Sequence, residues 1–484
     1  MLAVSSGAES PGVTRSPGAT VACRRCAQVT RGTPRQVLKL PRSGRREQRC
    51  SRSLRVAATA QIGITAAPRR PGESEMCRQT VYEETGKWRE NFDLKAWASE
   101  VRKVGAELAA QQGEADVKHL KKIILWSNLL YYGGLVAATV CNPLVNPLAA
   151  IAISTGIMAK WTMVGHHVCH GGYNKQMSKD GQVIGRFHRR TFARGFVRRI
   201  RDWLDWMLPE AWDQEHNHLH HYRLGEAADP DLVERNLSLL RESKTPIWLK
   251  EINIYSIMCV WKFFYYAPNT LKELEARKAE DAIRKGRQYE ILDFEATTKP
   301  ATLLSVFRAG FYRGNWGPFA MCLSKMAPYA IFSFGIIPGI AAVAFGATAG
   351  KLVLMNMLLA EILTNIHSFV IVVPNHVGED IYRFETETLP KSDEFYLRAV
   401  IGSTNFKTGG DFNDFAHGWL NYQIEHHMFP DLSMLSYQKA QPRIKAICAK
   451  HGVPYVQESV IARLRRTIDV MTGKRSMLVW ERNQ

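Results

Sequence analysis

LAAIAISTGIMAKWTMVGHHVCH, residues 148–170, runs from an apolar stretch straight into a cluster of histidines. Leu148–Gly165 carries one charge, Lys160, near enough to the end of the stretch to snorkel. A helix needs about 20 residues to cross a hydrocarbon core, and this stretch is close to that length. His166 and His170 stand four residues apart, so a helix presents both imidazoles on one face. The pattern predicts a membrane-spanning helix followed at once by two metal-binding side chains.

The apolar text around it repeats the plan. Upstream, Ile123–Cys141 is charge-free and of spanning length, and Asn142-Pro143 and Asn146-Pro147 separate it from the next stretch. Later come Pro328–Gly350 and Leu352–Val373, with a Gly-containing turn and Lys351 between them. Glu361 and His367 lie inside the last run, where such residues face a bundle interior. The expected fold is an all-α membrane protein with spans at about 123–141, 148–165, 328–350 and 352–373, paired as two hairpins. Each hairpin returns the chain to the side it left. The segment before Ile123, residues 166–320 and everything after 374 therefore share one face. That face holds the Arg-dense stretch Arg186–Arg201, as the non-translocated side does. Ile252–Ala267 is apolar and aromatic but interrupted by Lys262, and is not counted as a span.

The remaining composition sets the boundaries. Of the net charge of +19, residues 1–72 supply +12, from 13 Arg and Lys39 against Glu9 and Glu47. Residues 1–60, rich in Arg, Ser and Ala and poor in acids, read as a disordered transit peptide, with Leu54–Ala60 as a plastid-type processing site. Residues 61–120 read as a soluble or interfacial helical segment, 121–460 as the main domain and 461–484 as a tail. The rest of the chain is close to an ordinary charge balance, so no nucleic-acid partner is expected. The nine Cys show no paired spacing beyond a lone Cys23/Cys26, so neither a disulfide framework nor a Cys-ligated zinc site is expected.

Of the 15 His, most sit in three clusters: His166-His167-Val168-Cys169-His170, His216-Asn217-His218-Leu219-His220-His221, and Gln423-Ile424-Glu425-His426-His427. All three fall on the face fixed by the hairpins. Imidazole suits Fe, Zn and Cu, and at least seven imidazoles are more than one metal takes, so two metals sharing a site are expected. Glu215, Asp229, Asp231 and Glu425 are placed to orient ligand rings. His119, His188, His417 and His451 read as ordinary polar residues.

The clusters, in this order and in register with the spans, resemble the three histidine boxes of the membrane fatty acid desaturase family. The likeness covers about residues 118–460. It implies a di-iron site in a helical cap, with two irons (Fe2+/Fe3+) and O2 as co-substrate, that removes two hydrogens from adjacent methylenes of an acyl lipid. The implied ligands are His166, His170, His216, His220, His221, His376, His426 and His427, with no catalytic residue beyond them. His167, His218, His367, Gln423 and Glu425 are further candidates, as ligands or as partners of ligands. The family has one more His between the fourth span and the third box. His376 and His367 compete for it, and depth in the membrane favours His376. Gln423 opening the third box is similar to front-end desaturases, which act between an existing double bond and the carboxyl end. Many of those carry a fused cytochrome b5 domain with an HPGG motif, which this sequence lacks. Electrons are thus expected from a separate carrier: ferredoxin in a plastid membrane, which the leader favours, or cytochrome b5 in the ER. In this frame Ile252–Ala267 lies in the interface or covers the acyl entrance. An acyl hydroxylase or sphingoid-base desaturase on the same iron scaffold is the rival reading. A soluble carboxylate-bridged desaturase is disfavoured, because it needs two Glu-x-x-His motifs and only Glu215 to His218 is present.

Overall fold

The chain's longest helices form where charge is sparse. The computed structural model describes residues 87–140, 144–176, 180–182, 185–289, 294 and 300–480. The expected leader 1–60, the Cys23/Cys26 pair, residues 61–86, the Asn142-Pro143 break and residues 481–484 lie outside the described residues.

Helix α1, Leu94–Gln111, starts at Asp93, whose carboxylate accepts from the backbone N–H groups of Lys95 and Ala96, both at 3.0 Å. Trp97, Val101, Val104 and Leu108, three and four apart, are buried. This helix, expected to be solvated or interfacial, therefore has one face in the core. α2, Glu114–Val140, and α3, Pro147–His170, are the first two membrane-length helices. Asn146 caps α3, accepting from Leu148 N at 3.0 Å, and Pro147 opens it. α3 is continuous to His170, so the first histidine box is the last turn of the span and not a segment after it. Lys160 is then ten residues from the helix end, about 15 Å away, too deep to snorkel that way. Its Nζ instead sits 4.3 Å from the ring centre of Tyr131 and 5.4 Å from that of Tyr132.

α2 and α3 meet backbone to backbone. A Cβ on Gly156 would lie 2.8 Å from the Ser127 carbonyl oxygen, and Ser127 Oγ uses that approach to donate to the Gly156 carbonyl at 2.9 Å. α4, Gly317–Phe345, and α5, Ala347–His376, form the second hairpin. Its turn is at Gly346, with φ of 91°, and not at Gly350-Lys351 as expected. Gly350 has a packing role: a Cβ there would come within 2.6 Å of Ala342 Cβ. α4 also begins well before Pro328, which stays inside the helix. A wide, π-type turn at Phe332–Ile336 follows the proline and lets the helix continue.

Between the hairpins, Tyr131, Ala149 and Ile153 pack on Ala341, Val353 and Met357. Asn356, fully buried, accepts from Asn146 N at 2.8 Å and so ties the tip of the first hairpin to α5. Val136, Val140, Leu148, Val343 and Phe345 are each more than 60% exposed, as fits a surface solvated by acyl chains. Inside the bundle, Glu361 accepts from Tyr329 Oη at 2.5 Å and pairs with the buried Lys262 at 2.5 Å, so it faces the interior as expected.

The cap is helical, with two short parallel strand pairs: β1 (Tyr382–Phe384) with β4 (Leu478–Trp480), and β2 (Asn405–Phe406) with β3 (Gln457–Glu458). Its labelled helices are α6 (Asp393–Ile401), α7 (Gln423–Met428), α8 (Met434–Lys450) and α9 (Val460–Thr472). α9 and β4 occupy the stretch expected as a tail. Arg463 on α9 is fully buried and donates to both Asp380 oxygens at 2.7 Å, fastening the chain just beyond α5. In the Ile252–Ala267 stretch, Ile252 and Tyr255 are exposed with Trp248 on the helix Ile247–Met258. Trp261 and Tyr266 turn inward, each 6.0 Å from the ring of Trp161 on α3. The front of this stretch suits an interface, and its rear walls the interior.

Candidate metal centre

Each histidine box owes its direction to local helix winding. Residues Lys160–Gly165 of α3 and Asp213–His220 in the cap are π-type, with i→i+5 hydrogen bonds. In the second box this brings residues five apart into register. His216 and His221 face one point, and His220 faces another. In α7, the adjacent His426 and His427 point apart because neighbours on a helix are about 100° apart.

Among the described residues, one ring nitrogen each from His166, His170, His216, His221 and His426 lie within 4.8 Å of one another. His220, His376 and His427 form a second such group. His216 and His220, four residues apart in the second box, fall in different ones of these two groups. A further overlapping set joins Asp231 to His216 and His220. Box one and box two are stitched together by Asn217, which donates to the Cys169 carbonyl at 3.0 Å.

Three of the outward nitrogens have partners. Nδ1 of His166 faces the Thr162 carbonyl at 3.1 Å, Nδ1 of His220 faces Asp229 Oδ1 at 3.0 Å, and Nδ1 of His426 faces Tyr437 Oη at 3.2 Å. The inward nitrogens face each other. His166 Nε2 is 2.9 Å from His426 Nε2 and 3.1 Å from His216 Nε2, and His216 Nε2 is 3.3 Å from His221 Nε2. His170 Nε2 and, on the outer side of their rings, Nδ1 of His216, His221, His376 and His427 are buried with no hydrogen-bond partner in the protein. Lone pairs crowded in this way, in a dry interior, are costly unless a cation lies among them. The donor set therefore fits metal ions. Burial, and after it the neighbouring imidazoles, push His216, His221, His426 and His427 well below the ordinary histidine value, which keeps them in the neutral, ligating form. For His220 burial also acts downward, but Asp229 more than reverses it.

The other expected candidates take different places. Gln423 joins the smaller group, its amide 2.9 Å from His376 Nε2 and 3.2 Å from His427 Nε2. Glu425 is in neither group. Its carboxylate accepts from Asn405 at 2.8 Å and Tyr455 at 2.7 Å, which locks α7 against β2, and burial pushes its pKa up to about 7. Glu215 accepts from Tyr266 Oη at 3.3 Å and is held well above the carboxylate range by burial and then by Asp231. His167 is buried beside the centre, but its Nδ1 meets the Met163 carbonyl at 2.7 Å and it belongs to neither group. His218 is exposed and points away. His367 meets the Ala416 carbonyl at 3.0 Å, whereas His376 is in the smaller group. Among the residues given no site role, His119 lies 3.3 Å from Asp411, and His451 lies 3.0 Å from Glu100. Thr162 and Tyr437 have no sequence signal of their own. They matter only because helix geometry and the fold set them behind ligand rings.

A cavity with about 40 Å3 of space for a water-sized sphere opens onto His166, His216, His220 and His376, so it touches both groups. Its other walls include Trp161, Trp212, Tyr266, Val372 and Leu420. Away from the imidazoles, Thr162, Asp231 and Gln423 add polar groups to a wall that these five residues make apolar enough for methylene groups.

The family model described as fatty acid desaturase matches residues 142–459. A Mycobacterium tuberculosis protein named NADPH-dependent stearoyl-CoA 9-desaturase is 24% identical over 383 residues, covering 78% of each chain. An acyl-lipid (9-3)-desaturase of Physcomitrium patens is 32% identical over 107 residues, 22% of this chain and 19% of its own. A fatty acid desaturase 2-like protein of Mus musculus is 46% identical over 50 residues, 10% of each chain.

Proposed function

We propose, from the premise that this chain belongs to the fatty acid desaturase family, that it is a di-iron, O2-dependent enzyme of front-end type acting on the acyl chains of membrane lipids. Acyl desaturation itself follows from the family and from its named relatives. The observation that carries the metal reading is the pair of buried imidazole groups, five and three strong, drawn from distant parts of the chain. Iron is favoured over zinc because the reaction needs redox chemistry that zinc lacks. A bound iron pair would supply O2 activation and the oxidising power to take hydrogen from two adjacent methylenes.

The protein's own groups do the rest. The eight His would hold the metals, and Asp229, Tyr437 and the Thr162 carbonyl fix three of the rings. Trp161, Trp212, Tyr266 and Val372 form an apolar slot beside them that excludes water and sets which carbons lie against the centre.

Front-end regiochemistry is supported by Gln423 at the head of the third box and by the local likeness to the 2-like and acyl-lipid relatives. One observation favours a second reading, a stearoyl-CoA 9-desaturase: the relative matched over 78% of both chains bears that name. The basic leader favours a plastid membrane, with ferredoxin as donor, over the ER with cytochrome b5. Expression in yeast with each donor, followed by gas chromatography and mass spectrometry of the fatty acids, tests both readings. A new double bond on the carboxyl side of an existing one is expected. A bond at carbon 9 of stearate would replace the first reading with the second.

A further inference from the structure

Two cavities reach the imidazoles, from different sides. The aromatic one touches His166, His216, His220 and His376. The other touches His221 and His427, one from each group, and the two share no wall residue. The walls of the second cavity differ in chemistry. Phe395, Arg398 and Ala399 come from one face of α6, at i, i+3 and i+4. Opposite them, Glu226 accepts from Arg398 Nη1 at 2.9 Å, with both side chains 3% exposed. Glu226 and Arg398 satisfy each other, and the surface left facing the space is mostly apolar, which suits O2; an acyl chain is excluded by size. The outer wall includes the half-buried Thr388, flanked by the exposed residues 385–387 and 389–391, so this cavity points to the cap surface. It is also small. About 10 Å3 of space for a water-sized sphere holds roughly one water or one O2.

Desaturation consumes and releases small molecules while the acyl chain is seated: R–CH2–CH2–R′ + O2 + 2e− + 2H+ gives R–CH=CH–R′ + 2H2O. Two C–H bonds break and one carbon–carbon π bond forms. Two electrons come from the acyl chain and two from a reduced one-electron carrier protein, and O2 takes all four. An acyl chain in the aromatic cavity blocks that approach to the centre.

We propose that the Glu226–Arg398 cavity is the centre's small-molecule port, by which O2 enters and water leaves while the acyl chain fills the aromatic cavity. The proposal rests on the reading that the aromatic cavity holds the acyl chain.

The test uses the full chain, iron-loaded and reduced with dithionite, mixed with O2 in a stopped-flow instrument with acyl substrate bound. Ala399→Phe fills the port. Reoxidation at least ten-fold slower than wild type, with iron content and acyl-substrate KM unchanged, is expected. An unchanged rate in an Ala399→Phe protein that keeps its iron overturns the proposal. Should Ala399→Phe lose iron, Leu224→Ala, which widens the same wall, decides the matter with azide as probe. Azide binding to the acyl-loaded protein, followed by its absorption band, is expected to speed up at least three-fold. No change overturns the proposal. Failure of the underlying reading shows separately, as a Val372→Trp protein, filled in the aromatic cavity, whose acyl-substrate KM matches wild type.

Discussion

Asp229→Asn singles out one half of the centre. Asp229 Oδ1 lies 3.0 Å from His220 Nδ1, and the carboxylate is itself held by the backbone N–H groups of Gly225 at 2.7 Å and Asp231 at 2.9 Å. Both side chains are almost fully buried. The amide keeps the shape and removes the charge that makes His220 a stronger donor. Losing such a partner typically costs a metal site ten- to hundred-fold in affinity, about 1.4–2.8 kcal/mol. The loss falls on the group that has only three imidazoles, because the ring Asp229 holds is His220. Graded chelator titration of the purified variant, with iron counted by mass spectrometry, is expected to show one iron leaving at ten- to hundred-fold lower chelator strength. The other iron should titrate as in wild type. Two irons leaving together at the wild-type midpoint would refute the division of the histidines into two sites.

Other outcomes follow from the same geometry. His376→Ala should lose about one metal per chain by elemental analysis, whereas His367→Ala and His218→Ala should keep both. Lys262→Met strands the buried Glu361 and should cost about 3–5 kcal/mol in thermal or denaturant unfolding, and adding Glu361→Gln should recover most of it. Gly156→Val forces a Cβ to within 2.8 Å of the Ser127 carbonyl and should cost about 1–3 kcal/mol by overpacking, read as a lower unfolding midpoint. In the metal-free protein, His216, His221, His426 and His427 titrate below 6.5, so the unfolded chain takes up their protons first as the pH falls. Stability should therefore fall below pH 6.5, by about 1.4 kcal/mol per pH unit for each such imidazole until its folded value is reached. His220, shifted upward, opposes this as a single group. Melting between pH 7 and 5 checks the sign, and a midpoint that rises on acidification would contradict it.

Much of this protein was legible because its two strongest signals have short periods. Runs with at most one charge mark the four long helices, and histidines at set spacings mark the box positions. The misses have a common cause, in that they depend on tertiary contact. Gly346 and Gly350 are equal candidates for a turn until the hairpin closes, when Ala342 claims Gly350 as a packing site. Arg463 looks like a solvated charge in a tail, and Asp380 with the Val377 carbonyl compensates its burial. The division of His216 from His220 needs π-type winding, which spacing does not announce. Lys160 reads as near a helix end only while the histidines count as a new segment, and the helix runs through them.

On the proposed reading, imidazoles from three boxes and His376 gather around two irons. X-ray absorption at the iron edge, combined with elemental analysis of the full chain purified without chelator, measures this most directly. Two irons per chain with an inner shell dominated by histidine nitrogen are expected. Zinc in place of iron, a single metal, or a shell made mostly of oxygen would rule out a histidine-held iron pair.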